Sequence, residues 1–237
     1  MIVLPQLHEG LVEAFPNPRR ALREPNGLLA FGGDLSTRRL LEAYSHGIFP
    51  WFNEGEPILW WSPEPRCVFR TNAVHVSRRT RRSLQSCGWT VTVDHAFDQV
   101  IRGCAGARAN ERGTWISGEM MQAYQALHDQ GDAHSVEIWK GADLVGGIYG
   151  VAIGKLFCGE SMFSTISGGS KAALIALCSL LAERGYPLLD AQVTNPHLVS
   201  MGAIDMPREL FLARVETLAS IDVPAGRWRD ARPSFLT

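Results

Sequence analysis

Residues 134–163 read HSVEIWKGADLVGGIYGVAIGKLFCGESMF, and this stretch decides the fold class. It consists of runs rich in apolar and β-branched residues, which are typical of strands; the runs cover 134–139, 143–153 and 155–163. Only short turns that contain Gly141 and Gly154 separate these runs, and such connections join antiparallel neighbours. The stretch therefore predicts an antiparallel meander of three strands.

Helices and further strands are predicted on both sides of the meander. Upstream, Ser77 and Asp94 each stand where they can cap a helix, another helix is predicted from Ser117 to Gly131, and 89–93 alternates like a strand. Downstream, a glycine-rich bend leads to a helix at 170–184 and then to a strand. This order predicts an α+β fold with an acyltransferase-like layout rather than a doubly wound sheet.

The first sixty residues differ from the rest because they are rich in proline, glycine and asparagine turns. A helix is predicted at about 37–46, and regular structure is hard to continue through the tryptophan- and proline-rich stretch that follows it. We therefore expect a small N-terminal domain at 1–62 and a larger domain at 63–237.

Composition excludes several classes of protein. The net charge is −1, so no global field attracts nucleic acid, although a local basic patch remains possible. The five cysteines form no C-x-x-C pair, which argues against zinc and fits reduced thiols in a cytoplasmic protein. No apolar run reaches the ~18 residues of a membrane span, and the first residues lack the pattern of a signal peptide.

Polar residues interrupt the strand predicted within PLLDAQVTNPH (187–197). Side chains two residues apart on a strand share a face, so Asp190 and Gln192 point together and Leu189 points away. A solvent-exposed face is the ordinary explanation. A strand that follows a crossover helix is covered on both faces, however, and an unpaired buried carboxylate is costly. The pair therefore predicts a polar site, which Asn195 extends into the next loop.

Glu160 is another acid inside an apolar strand, LFCGESMF (156–163). A salt bridge to an arginine is the ordinary explanation. The functional alternative is a carboxylate that binds a cationic amine in a cleft, and the residues alone leave both open.

Positive charge is concentrated in RRTRR (78–82), where Arg79 accompanies three arginines that share one helix face, Arg78, Arg81 and Arg82. A solvated helix face is the ordinary explanation for such a run. Since no acids are interleaved and the whole chain is near neutral, the cluster favours contact with a phosphate backbone.

Two tryptophans, Trp51 and Trp115, lie in segments that look irregular. Core packing explains most tryptophans, but exposed rings in such segments suit stacking on nucleobases.

Motifs of other chemistries are absent or weak. His134 and Glu137 are three apart on a strand and face opposite sides, so we reject a metal site there. No G-x-S-x-G elbow occurs. The run Ser167-Gly168-Gly169-Ser170 lacks the spacing of a dinucleotide loop and is at best a weak signal for coenzyme A.

Several long runs together resemble the bacterial leucyl/phenylalanyl-tRNA–protein transferases over about residues 4–220. These runs are LREPNGLLAFGGDLS (22–36), GIFPWF (47–52), PILWWSPEPR (57–66), GTWI (113–116), VGGIYGV (145–151), LFCGESMFS (156–164) and DAQVTN (190–195). The resemblance implies transfer of leucine or phenylalanine from aminoacyl-tRNA to proteins that begin with arginine or lysine, which marks them for N-degron degradation. It also implies a GNAT-like larger domain and no metal or coenzyme A.

The resemblance also assigns residues. Trp51 and Trp115 match positions that hold the 3′-terminal adenosine, and the arginines of 78–82 match a helix that contacts tRNA. Four residues match the polar positions around the reacting groups: Glu160, Asp190, Gln192 and Asn195. The pocket for the transferred side chain is implied to draw on Ile148, Phe157, Met162, Leu174, Leu177, Leu181 and Leu189.

The implied reaction is aminolysis of an ester. Gln192 is not a base at neutral pH, so we expect its carbonyl oxygen to orient the attacking amine. We expect Asp190 to hold and polarise Gln192, and Glu160 to attract the cationic acceptor. Two rivals stay open: an acetyl-CoA-dependent acyltransferase that uses Ser167–Ser170, and a non-catalytic RNA-binding module.

Overall fold

The computed structural model describes residues 4–11, 13–112 and 116–233 and shows an α+β fold. The strands are β1 (Gln6–Leu7), β2 (Leu28–Gly32), β3 (Phe49–Pro50), β4 (Leu59–Trp61), β5 (Arg66–Arg70), β6 (Thr90–Val93), β7 (Ala133–Lys140), β8 (Asp143–Ile153), β9 (Leu156–Ser164), β10 (Leu188–Gln192) and β11 (Ile204–Met206). The helices are α1 (Thr37–Ser45), α2 (Arg78–Ser86), α3 (Phe97–Arg112), α4 (Gly118–Gln130), α5 (Gly169–Glu183), α6 (Pro196–Ser200) and α7 (Arg208–Ala219).

The strands form two sheets. The small sheet has the order β1-β2-β4-β3, and the large sheet has the order β11-β5-β10-β9-β8-β7-β6. In the large sheet β10 is parallel to β9, and the other neighbouring strands are antiparallel. The predicted meander is β7-β8-β9, and the prediction that β10 is a central strand is confirmed because it lies between β5 and β9.

Hydrophobic cores lie on both faces of the large sheet. On one face α2 and α5 supply buried residues such as Leu84 and Leu177. On the other face α1 and the small sheet share one core with α3, α4 and α7, in which Tyr44 and Trp60 join Tyr124. The first sixty residues are therefore packed into the core of the large sheet, although their strands form a separate sheet.

Helix starts follow the local chemistry of the sequence in most cases. Ser36, Ser77 and Ser117 each accept a hydrogen bond from the backbone N–H three residues later, which satisfies a donor at the first turn. Asp94 was predicted to act in the same way, and this prediction was wrong. It adopts a positive φ of 59°, and its buried carboxylate instead accepts hydrogen bonds from His134 and from the backbone of Ser135.

Strands of the first seventy residues were not predicted. Proline and charged residues surround them, as in β5, which begins and ends with arginine yet is buried over four of its five residues. The first of these arginines, Arg66, can be buried because a partner within the core compensates its charge. A strand pattern based on alternating apolar residues does not detect such a segment.

No helix in the described ranges has the length and apolar character needed to cross a membrane.

The close approach of α5 to β8 gives a test of the packing. A Cβ atom added to Gly146 would lie 2.5 Å from the backbone carbon of Gly169, so Gly146→Ala forces the helix away from the sheet. We expect the free energy of unfolding to fall by about 1–3 kcal/mol, measured by urea denaturation. The control is Gly106→Ala in α3, where a Cβ meets nothing within 4 Å. It should instead stabilise the helix, by up to about 1 kcal/mol. Equal stability of the two variants would contradict the packing.

Candidate active site

A cleft opens where β9 and β10 part. The two strands pair from Leu188 beside Leu156 to Asp190 beside Cys158, and there their pairing ends. Beyond that point β9 continues next to β8, whereas β10 bulges and pairs Gln192 with Cys67 of β5. The residues that follow on both strands, Gly159 to Met162 and Ala191 to Asn195, line the opening.

The bulge depends on an unusual backbone conformation. Gln192 has a φ of 62°, a region that costs a residue other than glycine of order 1–3 kcal/mol. Its backbone N–H donates to Oδ1 of Asp190 at 2.9 Å, which holds the chain in this conformation. Asp190 therefore contacts Gln192 through its backbone N–H, and not through the side-chain amide that it was expected to hold and polarise.

Asp190 is itself held by Arg66, a residue that the sequence analysis missed. The guanidinium donates to both carboxylate oxygens, at 2.8 and 2.7 Å, and Asp190 is 0% exposed. The cation also lies 4.7 Å from the ring centroid of Phe49 and 4.6 Å from that of Phe211. Charge-assisted pairing and two aromatic rings thus stabilise a buried ion pair next to the cleft. The only signal in the sequence was a lone arginine at the start of an apolar segment.

Glu160 faces Gln192 across the cleft and has neutral partners. Its carboxylate accepts from the Tyr124 hydroxyl at 2.8 Å and from Nε2 of Gln192 at 2.7 Å. Tyr44 extends the network with an O–O distance of 2.5 Å to Tyr124. Burial raises the pKa of Glu160 to about 7, because these hydrogen bonds only partly offset the loss of hydration. Among the described residues, Glu160 contacts tyrosine and glutamine rather than an arginine, so the ordinary explanation of a salt bridge finds no support there.

The cleft leads into a cavity of about 280 Å³ with largely apolar walls. Of the predicted pocket residues, Ile148, Met162, Leu174 and Leu189 line it. The bulge follows Asp190, so it takes Gln192 rather than Leu189 out of simple alternation, and Leu189 and Gln192 both line the cavity. Phe69 and Leu198 also line the cavity and were not predicted.

The other predicted pocket residues lie in the core instead. Phe157 pairs with Leu189 at a point where β9 and β10 still run side by side. Its ring packs in the core that the sheet shares with α5. Leu177 and Leu181 follow Leu174 by about one and two helical turns, which carries them away from the opening. All three are buried and do not line the cavity.

Trp51 and Asn195 stand at the rim of the cleft. The Trp51 side chain is 44% exposed, and its ring lies 5.7 Å from that of Trp61. Asn195 caps α6, where its Oδ1 accepts from the backbone N–H of Leu198 at 3.0 Å. Trp115, the other predicted adenosine contact, lies outside the described residues.

The basic run forms helix α2, as predicted. Arg78, Arg79 and Arg82 are exposed, and Arg81 is half-buried. The segment before α2 is tied to the region of the cleft because the N–H of His75 donates to the carbonyl of Met201, just after α6.

Other ligand sites find little support among the described residues. There, no group of three or more histidine, cysteine, aspartate or glutamate side chains is placed to bind a metal. At the start of α5, the N–H of Gly169 donates to the carbonyl of Ile166 and that of Ser170 donates to Oγ of Ser164. These backbone N–H groups of the glycine-rich bend are therefore already occupied, although a bound pyrophosphate would need them as donors.

Solved structures resemble this chain only loosely. L-PGS from Bacillus licheniformis is 12% identical, with a TM-score of 0.42 over 71% of this chain and 54% of that chain. The C-terminal domain of a putative lysylphosphatidylglycerol synthetase from Agrobacterium fabrum is 13% identical, with a TM-score of 0.42 over 79% of this chain and 57% of that chain. Neither likeness carries an argument about function.

Sequence relatives are much closer. A leucyl/phenylalanyl-tRNA–protein transferase from Xanthomonas campestris pv. campestris (strain B100) is 59% identical over 90% of this chain and 86% of its own. One from Shewanella pealeana is 53% identical over 92% of both chains. The family model described as leucyl/phenylalanyl-tRNA protein transferase matches residues 68–216, and that of its N-terminal domain matches 33–64. This chain therefore belongs to the leucyl/phenylalanyl-tRNA protein transferase family.

Proposed function

We propose that this protein is an aminoacyltransferase that moves leucine or phenylalanine from aminoacyl-tRNA to the N-terminal α-amine of a protein. Family membership supports this assignment. The observation that carries it is the cleft between β9 and β10, where Glu160 and Gln192 face an apolar cavity. We propose further that the acceptors begin with arginine or lysine, and that the product enters N-degron degradation in the cytoplasm.

The chemistry needs alignment more than covalent catalysis. The α-amine nitrogen attacks the carbonyl carbon of the ester, an amide bond forms, and the bond from that carbon to the ribose oxygen breaks. The ribose oxygen leaves with a proton, and the amine loses one. Because the ester is already activated, positioning the two reactants can supply about 7–11 kcal/mol of the barrier reduction.

Gln192 is suited to orient the amine. Its Nε2 is committed to Glu160, so its carbonyl oxygen can accept a hydrogen bond from the incoming amine. Such a contact aims the nitrogen lone pair at the ester without any proton transfer to Gln192. The buried Arg66–Asp190 pair positions Gln192 by fixing the bulge from which its side chain projects.

Glu160 supplies the electrostatic attraction in this mechanism. With neutral partners and a raised pKa, its carboxylate gains more from a cation in the cleft than a solvated carboxylate would. We propose that Glu160 attracts the positive charge of the acceptor protein. That charge lies on the acceptor's side chain, or on its α-amine before the amine loses its proton.

The remaining substrate contacts follow from the walls of the cleft. The apolar cavity accepts the transferred side chain, and one methylene there discriminates by only about 1–3 kcal/mol. Trp51 at the rim, together with Trp115, is proposed to hold the terminal adenosine, and Asn195 is proposed to contact the substrate near the reacting groups. The α2 arginines are proposed to contact the tRNA backbone.

The domain arrangement is also proposed. We assign residues 1–62 to a small N-terminal domain and 63–237 to a GNAT-like domain. The order of antiparallel meander, helix α5 and parallel strand β10 supports the second assignment. The reaction as written requires no metal and no coenzyme A.

One assay tests the function against its rivals. The protein is incubated with a protein that begins with arginine and with either tRNA carrying labelled leucine or labelled acetyl-CoA. We expect label to move only from the tRNA, and Gln192→Ala should lower kcat by roughly 100-fold while the Kd for tRNA stays nearly unchanged. Label moving only from acetyl-CoA would support the acyltransferase, and tRNA binding without transfer would support the RNA-binding module. Equal losses in kcat and tRNA affinity would contradict the role of Gln192.

The raised pKa of Glu160 predicts a pH dependence. Its carboxyl is neutral below about pH 7, so attraction of the acceptor is lost on the acid side. The acceptor amine, with a pKa of ~7.7–8.0, loses reactivity in the same direction. The acid limb of log kcat/KM against pH should therefore have a slope of about two, and Glu160→Gln should reduce it to about one. Glu216→Gln, an exposed acid on α7, is the control and should keep the wild-type slope.

Charge reversal on α2 tests the tRNA surface. Arg78→Glu/Arg82→Glu should weaken tRNA binding and reduce the slope of log K against log salt concentration by roughly one to two, since each phosphate contact contributes about 0.9. The matched control is Arg38→Glu/Arg214→Glu, which reverses two exposed arginines on α1 and α7. Equal slopes for the two variants would remove α2 from the tRNA footprint.

A further inference from the structure

A second cavity, of about 310 Å³, lies at the other end of β9 and β10 from the cleft. It is bounded by the turn before β9, the segment after α5, and residues 223–228 of the C-terminal segment. Lys155 lies five residues before Glu160 along the chain, which places the two regions roughly 16 Å apart by strand geometry. The two cavities share no lining residue.

The C-terminal wall of this cavity is firmly attached to the fold. The backbone N–H of Trp228 donates to Oδ2 of Asp94 at 2.7 Å, and its indole stacks on the His134 ring at 3.7 Å. The N–H of Gly226 donates to the carbonyl of Gly131. The buried hydrogen bond between Asp94 and His134 thus serves as the anchor for this segment.

The side chains around the cavity are basic without matching acids. Arg227 pairs with Asp129 at 2.8 Å, but within the described ranges neither Lys155 nor Arg184 has a carboxylate within salt-bridge distance. Lys155 donates to the carbonyl of Arg184 and lies 4.8 Å from the Tyr186 ring centroid. Arg184 lies 4.8 Å from the Trp228 ring centroid. These rings orient the two cations, and among the described residues no acid lines the cavity or compensates their charge.

We propose that this cavity binds a phosphate group. A guanidinium and an ammonium that line one cavity match a phosphate in charge and in hydrogen-bond donors. Trp228 is only 7% exposed, so its ring is not open for stacking and the site recognises the anion rather than a base. The phosphate belongs either to the backbone of the bound tRNA or to a free phosphate ester. The tRNA source rests on the proposed function, whereas phosphate binding itself does not.

The test compares two variants that remove the same charge. Lys155→Gln/Arg184→Gln empties the cavity of its unpaired cations, and Lys140→Gln/Arg214→Gln removes one exposed lysine and one exposed arginine elsewhere. Inorganic phosphate is titrated calorimetrically into each full-length protein at constant ionic strength in chloride. We expect the wild type and the control to bind phosphate, and the cavity variant to bind at least tenfold more weakly. Arg184→Lys, which keeps the charge, should retain most of the affinity.

A second measurement identifies the source of the phosphate. The salt dependence of binding is measured with uncharged tRNA, since each phosphate contact contributes about 0.9 to the slope. If the cavity variant loses both phosphate affinity and about one unit of slope, the ligand is a tRNA phosphate. If only phosphate affinity is lost, the ligand is a free phosphate ester.

The proposal is overturned if the wild type binds no phosphate, or if both double variants bind it equally. Should the cavity variant not fold, Lys155→Gln alone is compared with Lys140→Gln in the same way. Phosphate binding without leucine transfer would disprove the proposed function and leave this site standing.

Discussion

The buried ion pair between Arg66 and Asp190 joins the small sheet and α7 to the strand that forms the cleft. Removing one partner of such a pair typically costs about 3–5 kcal/mol, because the other charge stays buried and unpaired. Here, removing Asp190 would also destabilise the backbone of Gln192. Oδ1 of Asp190 accepts the N–H that holds Gln192 in its strained conformation, besides its bond from Arg66. The cation in turn lies between Phe49 of the small sheet and Phe211 of α7. The first seventy residues thus stabilise the bulge from which the cleft is built.

The two buried carboxylates at the cleft have opposite environments, which gives them different roles. Asp190 is paired with a guanidinium and held away from solvent, so its role is structural. Glu160 is surrounded by neutral donors, and burial raises its pKa to about 7, so its charge responds to pH near neutrality. Neither role follows from the residue type, because both acids stand in apolar strands and look alike in the sequence.

Much of the fold was predictable from local patterns. The meander, the serine-capped helices and the central position of β10 follow from hydrophobic period, turn residues and capping, which act within a few residues. The strands around β5 were missed because the charge that begins β5 is compensated by a residue 124 positions away. The small sheet was missed for a related reason, since its short strands are stabilised by packing on α1 and on the large sheet rather than by a pattern of their own.

The sequence by itself determined the α+β class, the family resemblance and the polar residues of the cleft, since these depend on local pattern and on matched motifs. Only the tertiary structure decided how those residues work together. The bulge after Asp190 brings Gln192 to the cavity that Leu189 also lines, and β9 and β10 part beyond Phe157, which stays in the core together with Leu177 and Leu181. The physical reason is that strand register, bulges and buried pairing depend on contacts between residues far apart in the chain, which no local periodicity encodes.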